Sequence, residues 1–201
     1  MITKDELRVR IQNACATVME AEAELTEIDS RFGDADHGFT MAKIAKTISE
    51  AVEEGDSIQE MLDNAGCAVM VLNGGSAVPL WNTWLDGLQE HSEASDSMTV
   101  EQVKSMFQGA YEELFEMSTA KVGDKTMMDA LIPATEAIQA WEGDMDGLFE
   151  AAAKAAEAGA ENSKNFVSKF GRAKSYGTQT IGTPDAGAVS MKYFFVGLAK
   201  K

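Results

Sequence analysis

Three aspartates, Asp29, Asp34 and Asp36, stand close together in a polar stretch between two helical segments. Packing three carboxylates this tightly costs electrostatic repulsion, which a bound hard cation removes because its charge pairs with oxygen ligands. A helix begins just beyond them at Gly38, and its free N–H groups and positive dipole end favour anions such as phosphate. A divalent cation next to a phosphate site predicts a bound nucleotide.

Each of these aspartates, taken singly, has a simpler interpretation. Aspartate is a common helix N-cap and turn residue, so Asp34 or Asp36 alone would indicate a cap. Three carboxylates interleaved with His37 and two glycines favour a metal site over three separate caps.

The composition narrows the classes of partner. The chain has 201 residues, enough for one domain with a substantial core, and we expect residues 1–201 to form a single domain. Its 33 acidic and 17 basic residues give a net charge of −16, which disfavours nucleic acids and anionic membranes as partners. An acidic chain that binds a polyphosphate must supply local cations, so the charge favours metal ions over a lysine cluster.

The cysteines and the apolar runs indicate the compartment. Cys15 and Cys67 both stand within apolar helical patterns, which predicts two buried thiols and neither a disulfide framework nor a zinc site. The N-terminus is polar, and no run approaches the roughly 18 apolar residues of a membrane span. We therefore expect a cytoplasmic protein with no membrane partner.

Helical periodicity runs through nearly the whole chain. Apolar residues from Leu7 to Ile28 recur at spacings of three and four, and Thr3 with Glu6 forms a potential capping box at the start of this helix. Ser57 with Glu60 and Thr99 with Gln102 repeat that signal. Further helices are predicted at residues 40–54, 77–91, 126–141, 146–166 and 186–199. Eight helices with no strand of convincing length predict an all-α fold.

Four connections combine glycine with reactive side chains: residues 29–38, 73–77, 118–126 and 167–187. They follow the first, third, fifth and seventh predicted helices. In an up-and-down antiparallel bundle alternate connections lie at the same end, so these four loops should share one mouth. That arrangement would bring the aspartates together with Thr126, Lys125 and Arg172.

The loop motifs in this order resemble the nucleotide-binding L subunit of dihydroxyacetone kinase. They are Asp29 with Gly33-Asp-Ala-Asp-His-Gly38, Gly74-Gly-Ser76, Gly123-Asp-Lys-Thr-Met127 through Asp129, Gly171-Arg172 and Asp185-Ala-Gly187. Any one motif is weak alone, but the resemblance extends over nearly the full length of the chain.

The resemblance implies an eight-helix antiparallel barrel that binds ADP or ATP at one end through two Mg²⁺ ions. Asp29, Asp34 and Asp36 would be the metal ligands. The residues implied to contact nucleotide are His37, Gly38, Thr40, Gly75, Ser76, Thr126, Met127, Arg172, Asp185 and Gly187. The implied activity is phosphoryl transfer to dihydroxyacetone or a related keto-sugar bound on a separate K subunit. A phosphohistidine carrier is a further potential partner, and a homodimer stays open.

The resemblance assigns no catalytic side chain, because metal and positioning carry the chemistry of phosphoryl transfer. Arg172 and His37 are the candidates. Arg172 could bind a phosphate or ribose, or stabilise a helix C-terminus. His37 could be a phosphoacceptor, a general base or a hydrogen-bond donor to phosphate, and we favour the last. Met127 could face a purine or lie in the core, and Lys125 could contact phosphate or be an exposed charge.

Two positions depart from the family pattern. The family usually has Gly-Gly-Ala-Ser-Gly-Pro where this chain has Gly74-Gly-Ser-Ala-Val-Pro79, and Val78 does not readily adopt positive φ. Ala35 stands where the family often has glycine, which is tolerable if its φ is negative. The altered second loop makes a non-catalytic ligand-sensing or regulatory module the alternative function. A calcium-storing acidic bundle is a weaker third hypothesis, because it would leave the glycine-rich loops without a purpose.

Overall fold

The computed structural model describes all 201 residues, and most of them lie in helices. The nine α-helices are α1 (Lys4–Glu20), α2 (Glu22–Ser30), α3 (His37–Ala51), α4 (Ile58–Met70), α5 (Ala77–Glu90), α6 (Val100–Ser118), α7 (Met128–Ala140), α8 (Met145–Asn162) and α9 (Ala186–Leu198). Two 3₁₀ segments, Ser163–Asn165 and Arg172–Thr180, lie between α8 and α9. Two short strands, β1 (Ile2–Thr3) and β2 (Ser97–Met98), pair antiparallel.

The predicted first helix is broken at Ala21, so the prediction of one continuous helix to Ile28 was wrong. The N–H of Ala21 donates to Val18 O at 3.1 Å, a tight i to i−3 turn that ends α1 before α2 resumes. Apolar spacing does not reveal this break, because the same face stays buried on both sides of it. Counted together as one bent rod, α1 and α2 complete the set of eight predicted helices.

The predicted capping signals set the helix starts. The reciprocal hydrogen bonds of a capping box are present at Thr3 with Glu6 and at Thr99 with Gln102. Ser57 accepts a hydrogen bond from the N–H of Glu60 and caps α4. The three caps stand at one end of the molecule, and their helices, α1, α4 and α6, run from there toward the other end.

The helices form a closed ring, which confirms the predicted eight-helix antiparallel barrel. Each ring helix packs against its neighbours in the order α1, α3, α4, α5, α6, α7, α8 and α9, and α9 returns to α1. The short helix α2 lies against α3 and α9. The interior is filled by edge-to-face aromatic residues, among them Trp81 and Trp84, whose ring centroids are 5.5 Å apart.

The four predicted loops converge on one end of the barrel. The guanidinium of Arg172 contacts Asp34, the Lys125 ammonium donates to Thr183 O, and Gly74 packs against Thr40. The strands and the other connections lie at the opposite end, where Ile58 N donates to Ser95 O. We call the end with the four loops the mouth.

The two cysteines differ in exposure. Cys15 is fully buried, as predicted, but Cys67 is exposed, so that prediction was wrong. The buried face of α4 carries Leu62, Gly66 and Val69, and Cys67 lies one position off this face. In the same structure, none of the helices combines the length and apolar character that crossing a membrane requires.

Candidate functional site

The three aspartates of the first loop form a compact cluster at the mouth. One carboxylate oxygen from each of Asp29, Asp34 and Asp36 lies within 4.8 Å of the others. Bonds from Mg²⁺ to oxygen are about 2.0–2.1 Å long, so ligands on opposite sides of the ion are about 4 Å apart. The cluster therefore fits one hard cation with little movement. The pKa of Asp36 is raised, mainly by partial desolvation and next by the negative charge of Asp34. A bound cation would relieve the repulsion between these two carboxylates.

Backbone turns at Gly33 and Ala35 bring these carboxylates together. A methyl group at Gly33 would lie 2.0 Å from Asp29 Oδ1, so only glycine allows this approach. Ala35 has a φ of +62°, so the condition under which alanine would be tolerable here, a negative φ, is not met. The left-handed conformation costs an alanine roughly 1–2 kcal/mol. This strain lies between two of the three candidate ligands.

Arg172 lies over the aspartate cluster. Its guanidinium is 2.8 Å from Asp34 Oδ2, and its side chain is 72% exposed. Nearby, the ring of Tyr176 meets the ring of Phe32 edge to face at a centroid distance of 5.2 Å. Arg172 therefore belongs to the mouth, where a phosphate could reach it, and it does not stabilise a helix C-terminus.

The second loop presents exposed backbone at the start of α5. Gly74, Gly75 and Ser76 are exposed, and no side chain caps the first N–H groups of this helix. These uncapped N–H groups are suited to bind an anion. Val78 stands within the first turn of α5, so the departure from the family pattern creates no positive φ. Its side chain is buried, and a methyl group at Gly74 would lie 2.6 Å from Val78 Cγ2.

The side chain of His37 contacts the last helix of the ring. Its Nε2 lies 3.2 Å from Ser190 Oγ of α9, so the ring connects α3 to α9. Burial lowers the pKa of His37, and the charge of Asp29 opposes this shift. The backbone N–H of His37 donates to Asp29 Oδ2 at 3.4 Å. The imidazole therefore connects the start of α3 to α9, beside Asp29.

Three other residues with implied nucleotide contacts are buried. Thr40 and Met127 are each 6% exposed, and Met127 belongs to the hydrophobic core. Gly38 is buried against α2, where a methyl group would lie 2.1 Å from Thr26 Oγ1. In this structure all three residues pack beneath the mouth.

Lys125 is not an exposed charge, which was one of the two alternatives that the sequence left open. Its side chain is buried, and its Nζ donates to Ser163 O at 2.7 Å and to Thr183 O at 2.5 Å. Burial lowers the pKa of Lys125, while the charges of Asp185 and Asp129 oppose this shift. The lysine thus connects the third loop to the segment before α9.

Asp129 ends the third-loop motif on which the resemblance rests, but no role was predicted for it. Its carboxylate accepts hydrogen bonds from Gly123 N at 2.6 Å and from Thr126 N at 2.7 Å. Burial raises its pKa, and these N–H groups oppose the shift. The spacing of Thr126 and Asp129 matches a capping box with aspartate in place of glutamate, a signal that could have identified it.

Asp185 and Gly187 form the fourth side of the mouth. Asp185 caps α9 by accepting a hydrogen bond from Ala188 N at 2.8 Å, and burial raises its pKa to about 7. Gly187 packs on the third loop, since a methyl group there would lie 3.2 Å from Met127 N. The structure therefore places all thirteen predicted site residues at the mouth or directly beneath it.

Comparisons with known proteins found a matching family model and several relatives. A model of the DAK2 domain matches residues 31–200. The chain is 31% identical, over 92% of its length and 91% of the relative's, to the ADP-binding subunit DhaL of the PEP-dependent dihydroxyacetone kinase of Escherichia coli. It is 27% identical, over 90% of its length and 86% of the relative's, to the ADP-binding subunit DhaL of PEP-dependent dihydroxyacetone kinase 2 of Listeria innocua.

Longer relatives match over only part of their length. The D-erythrulose kinase of Mycolicibacterium smegmatis is 33% identical over 86% of this chain and 31% of its own. The crystal structure of the C. freundii dihydroxyacetone kinase in complex with AMP-PNP and Mg²⁺ has the same fold, with a TM-score of 0.72 and 24% identity over 96% of this chain and 33% of that one. The chain thus spans nearly all of the separate subunits and about a third of these longer kinases.

Proposed function

The chain belongs to the DAK2 domain family, and from this premise we propose that it is the nucleotide-binding subunit of a dihydroxyacetone-kinase-type phosphotransferase. It binds ADP or ATP with Mg²⁺ at the mouth and passes a phosphoryl group to dihydroxyacetone or a related keto-sugar held on a separate subunit. The observation that carries the proposal is the cluster of three carboxylates, within 4.8 Å, in a chain that spans 91% of an ADP-binding subunit. We expect the activity to be cytoplasmic.

The residues at the mouth fit the metal that this function requires. Asp29, Asp34 and Asp36 supply the oxygen ligands that Mg²⁺ prefers, and two ions are expected from the resemblance. Bound Mg²⁺ neutralises phosphate charge and orients the phosphates for transfer. The candidate carboxylates are the only metal-type cluster of three acidic, histidine or cysteine side chains in the chain.

The other residues of the mouth would hold the nucleotide in place. Exposed N–H groups around Gly75 and Ser76 are available for phosphate oxygens, and the guanidinium of Arg172 is poised above the aspartates. Thr126 begins the third loop's turn into α7, beside Asp185 and Gly187. Transfer then depends on alignment of the donor phosphate with an acceptor hydroxyl, and no side chain of this chain needs to form a covalent intermediate.

Exposed apolar residues around the mouth support a partner that covers it. Eight of the ten large exposed hydrophobic residues stand on loops or helix ends at the mouth: Phe39, Met70, Val71, Met117, Val122, Phe170, Tyr176 and Ile181. We call these eight residues the rim. Apolar residues gathered at one end are typical of an interaction surface. A K-type subunit that carries the keto-sugar must approach this end, because the acceptor has to reach the terminal phosphate.

The regulatory alternative is not favoured. A module that had lost nucleotide binding would not need three carboxylates in one turn or an uncapped helix start beside them. The phosphoryl donor is either free ATP or a phosphohistidine carrier protein that recharges bound ADP. An assay of phosphoryl transfer with each donor in turn distinguishes the two.

Calorimetric titration with ADP, with and without Mg²⁺, is the first test. We expect sub-millimolar binding of ADP that requires Mg²⁺. In Asp36→Asn most of this affinity should be lost, and adding Mg²⁺ should no longer strengthen ADP binding. The matched control is Glu157→Gln on the exposed face of α8, which should bind as the unaltered chain does. Absence of binding at millimolar ADP would overturn the proposal.

The second test is phosphoryl transfer. The chain is mixed with a purified K-type subunit and either dihydroxyacetone or erythrulose. One set of reactions contains ATP, and another contains ADP with a phosphohistidine carrier. Formation of the sugar phosphate in one set identifies the donor, and its absence from both in the presence of bound ADP would favour a non-catalytic role.

A further inference from the structure

A single buried cation connects three segments of the chain beneath the mouth. Lys125 is 4% exposed. Its ammonium donates to the carbonyl of Ser163 after α8 and to the carbonyl of Thr183 before α9. These acceptors stand 38 and 58 residues along the chain from Lys125. Burying an ammonium group costs free energy unless it is hydrogen-bonded or paired. The three segments must therefore stay in the relative positions that keep both carbonyls on Lys125.

The backbone of the third loop is shaped to send this side chain inward. Lys125 has a φ of +61° and Gly123 a φ of +94°, so the loop reverses direction tightly. The carboxylate of Asp129 accepts hydrogen bonds from the N–H groups of Gly123 and Thr126 on the inner side of that turn. A left-handed lysine costs roughly 1–2 kcal/mol, and the buried hydrogen bonds offset this cost.

The three connected segments carry two halves of the proposed nucleotide site. Thr126 and Met127 follow Lys125 directly, whereas Asp185 and Gly187 follow Thr183. Ser163 also binds the second half, because its hydroxyl accepts a hydrogen bond from the backbone N–H of Asp185 at 2.9 Å. The halves already touch, since Gly187 packs on the backbone of Met127. A change in the position of Lys125 would therefore move both halves.

We propose that Lys125 is a positioning residue of the nucleotide site. Its ammonium fixes the third loop against the segment before α9, so that ADP meets a preformed site. This inference rests on the proposed function. Preorganisation strengthens binding because the loops are ordered before the ligand arrives. Without the ammonium, two buried carbonyls lose their donor and the carboxylates of Asp129 and Asp185 lose a neighbouring positive charge.

The test is ADP binding in the presence of Mg²⁺ by Lys125→Met, which keeps an unbranched apolar side chain one atom shorter than that of lysine. We expect the Kd to rise by at least about tenfold, because the loops must order on binding. The matched control is Lys169→Met. Lys169 also bonds to the third loop, through Asp124 at 2.6 Å, but its side chain is 60% exposed. This control loses the same charge near the mouth, and its Kd should change by less than about twofold.

Further readouts separate positioning from stability. Binding is measured well below the melting temperature of each variant, and amide hydrogen exchange of residues 123–126 is followed without ligand. We expect faster exchange in Lys125→Met, and full protection of those amides when saturating ADP is present. Lys125→Gln keeps an amide donor, so its Kd should lie between those of the unaltered chain and Lys125→Met, and it serves as the test variant if Lys125→Met does not fold.

Three outcomes would overturn the inference. The first is a lower melting temperature with an unchanged Kd in a folded Lys125 variant, which assigns a structural role only. The second is an equal rise of the Kd for ADP in the Lys125 and Lys169 variants, which would mean that the loss of a positive charge near the mouth causes the effect. If the unaltered chain binds no ADP, the proposed function fails together with this inference, whereas ADP binding that is insensitive to Lys125 refutes the inference alone.

Discussion

The guanidinium of Arg172 lies 2.8 Å from the carboxylate of Asp34, one of the three candidate metal ligands. Both side chains are partly or largely exposed, so the ion pair stabilises the fold by no more than about 1 kcal/mol. Its importance is positional. It brings the last of the four loops over the first, and it places a permanent cation at oxygens that a divalent ion would also use.

Arg172 should therefore have opposite effects on metal and on nucleotide. In Arg172→Gln, a competing positive charge leaves the carboxylate cluster, so Mn²⁺ alone should bind about two- to fivefold more tightly. ADP with Mg²⁺ should bind more weakly, because a phosphate donor is lost. Electron paramagnetic resonance measures the free Mn²⁺, and calorimetry measures ADP.

The control for this variant is Lys174→Gln, which removes an exposed charge two residues away. It should alter both affinities by less than about twofold. If Arg172→Gln weakened Mn²⁺ binding, the guanidinium would have to support the metal site, and the competition described above would be refuted.

Two glycines of the mouth should respond differently to alanine. A methyl group at Gly38 would lie 2.1 Å from Thr26 Oγ1 and 2.2 Å from Glu22 O, so Gly38→Ala should lower the free energy of unfolding by about 1–3 kcal/mol. At Gly75 the nearest atom is Asp36 Oδ2 at 4.0 Å, so Gly75→Ala should leave stability within about 0.5 kcal/mol.

The affinities of these two variants complete the prediction. Gly75→Ala should weaken ADP binding, because its methyl group stands where phosphate would approach the backbone. Urea unfolding and ADP titration on both variants check the pair. A stable Gly38→Ala chain would show that α2 can move away from α3, contrary to the close packing at this site.

The sequence predicted the architecture of the mouth because the responsible signals are local. Capping residues at Thr3, Ser57 and Thr99 fix the helix starts, and the alternation of helix directions then brings the odd-numbered loops to one end. The order of those loops requires no knowledge of side-chain contacts.

The side-chain partners inside the mouth could not be predicted in the same way. Lys125 bonds to carbonyls 38 and 58 residues away, and His37 meets Ser190, 153 residues along the chain. Neither partner leaves a periodic signal in the sequence. Ala35 adopts positive φ in a turn whose preceding carboxylate, Asp34, contacts Arg172 of the last loop, so the tertiary structure overrides the local preference of alanine.

The rim predicts how the partner subunit should respond to surface substitutions. Val71 at the rim is 73% exposed, and Val9, toward the opposite end of the barrel, is 43% exposed. If a K-type subunit covers the rim, Val71→Ser should raise the concentration of that subunit needed for half-maximal activity by about fivefold, the equivalent of about 1 kcal/mol of lost apolar burial. The identical substitution Val9→Ser is the control, and neither should alter the Kd for ADP. Equal effects of the two substitutions on phosphoryl transfer would place the partner elsewhere.

The pH dependence of stability should report the buried carboxylate of Asp185. Burial raises its pKa from the ordinary value of 3.8 to about 7. Between these values the folded chain keeps a proton that the unfolded chain has released, so this group makes the free energy of unfolding fall as pH rises, by at most about 1.4 kcal/mol per pH unit. The stability that Asp185 contributes is fully present below pH 3.8, and above about pH 7 no more of it is lost.

Asp185→Asn isolates this contribution, because asparagine caps α9 equally well and does not titrate. Other carboxylates with raised pKa values, such as Asp36 and Glu113, are present in both proteins and cancel in the difference. The stability of the unaltered chain relative to Asp185→Asn, measured by urea unfolding, should therefore decline steadily from about pH 4 to about pH 7. A difference that stayed constant over this range would mean that Asp185 titrates normally, and that the Lys125 ammonium and the N–H groups at the start of α9 fully offset its burial.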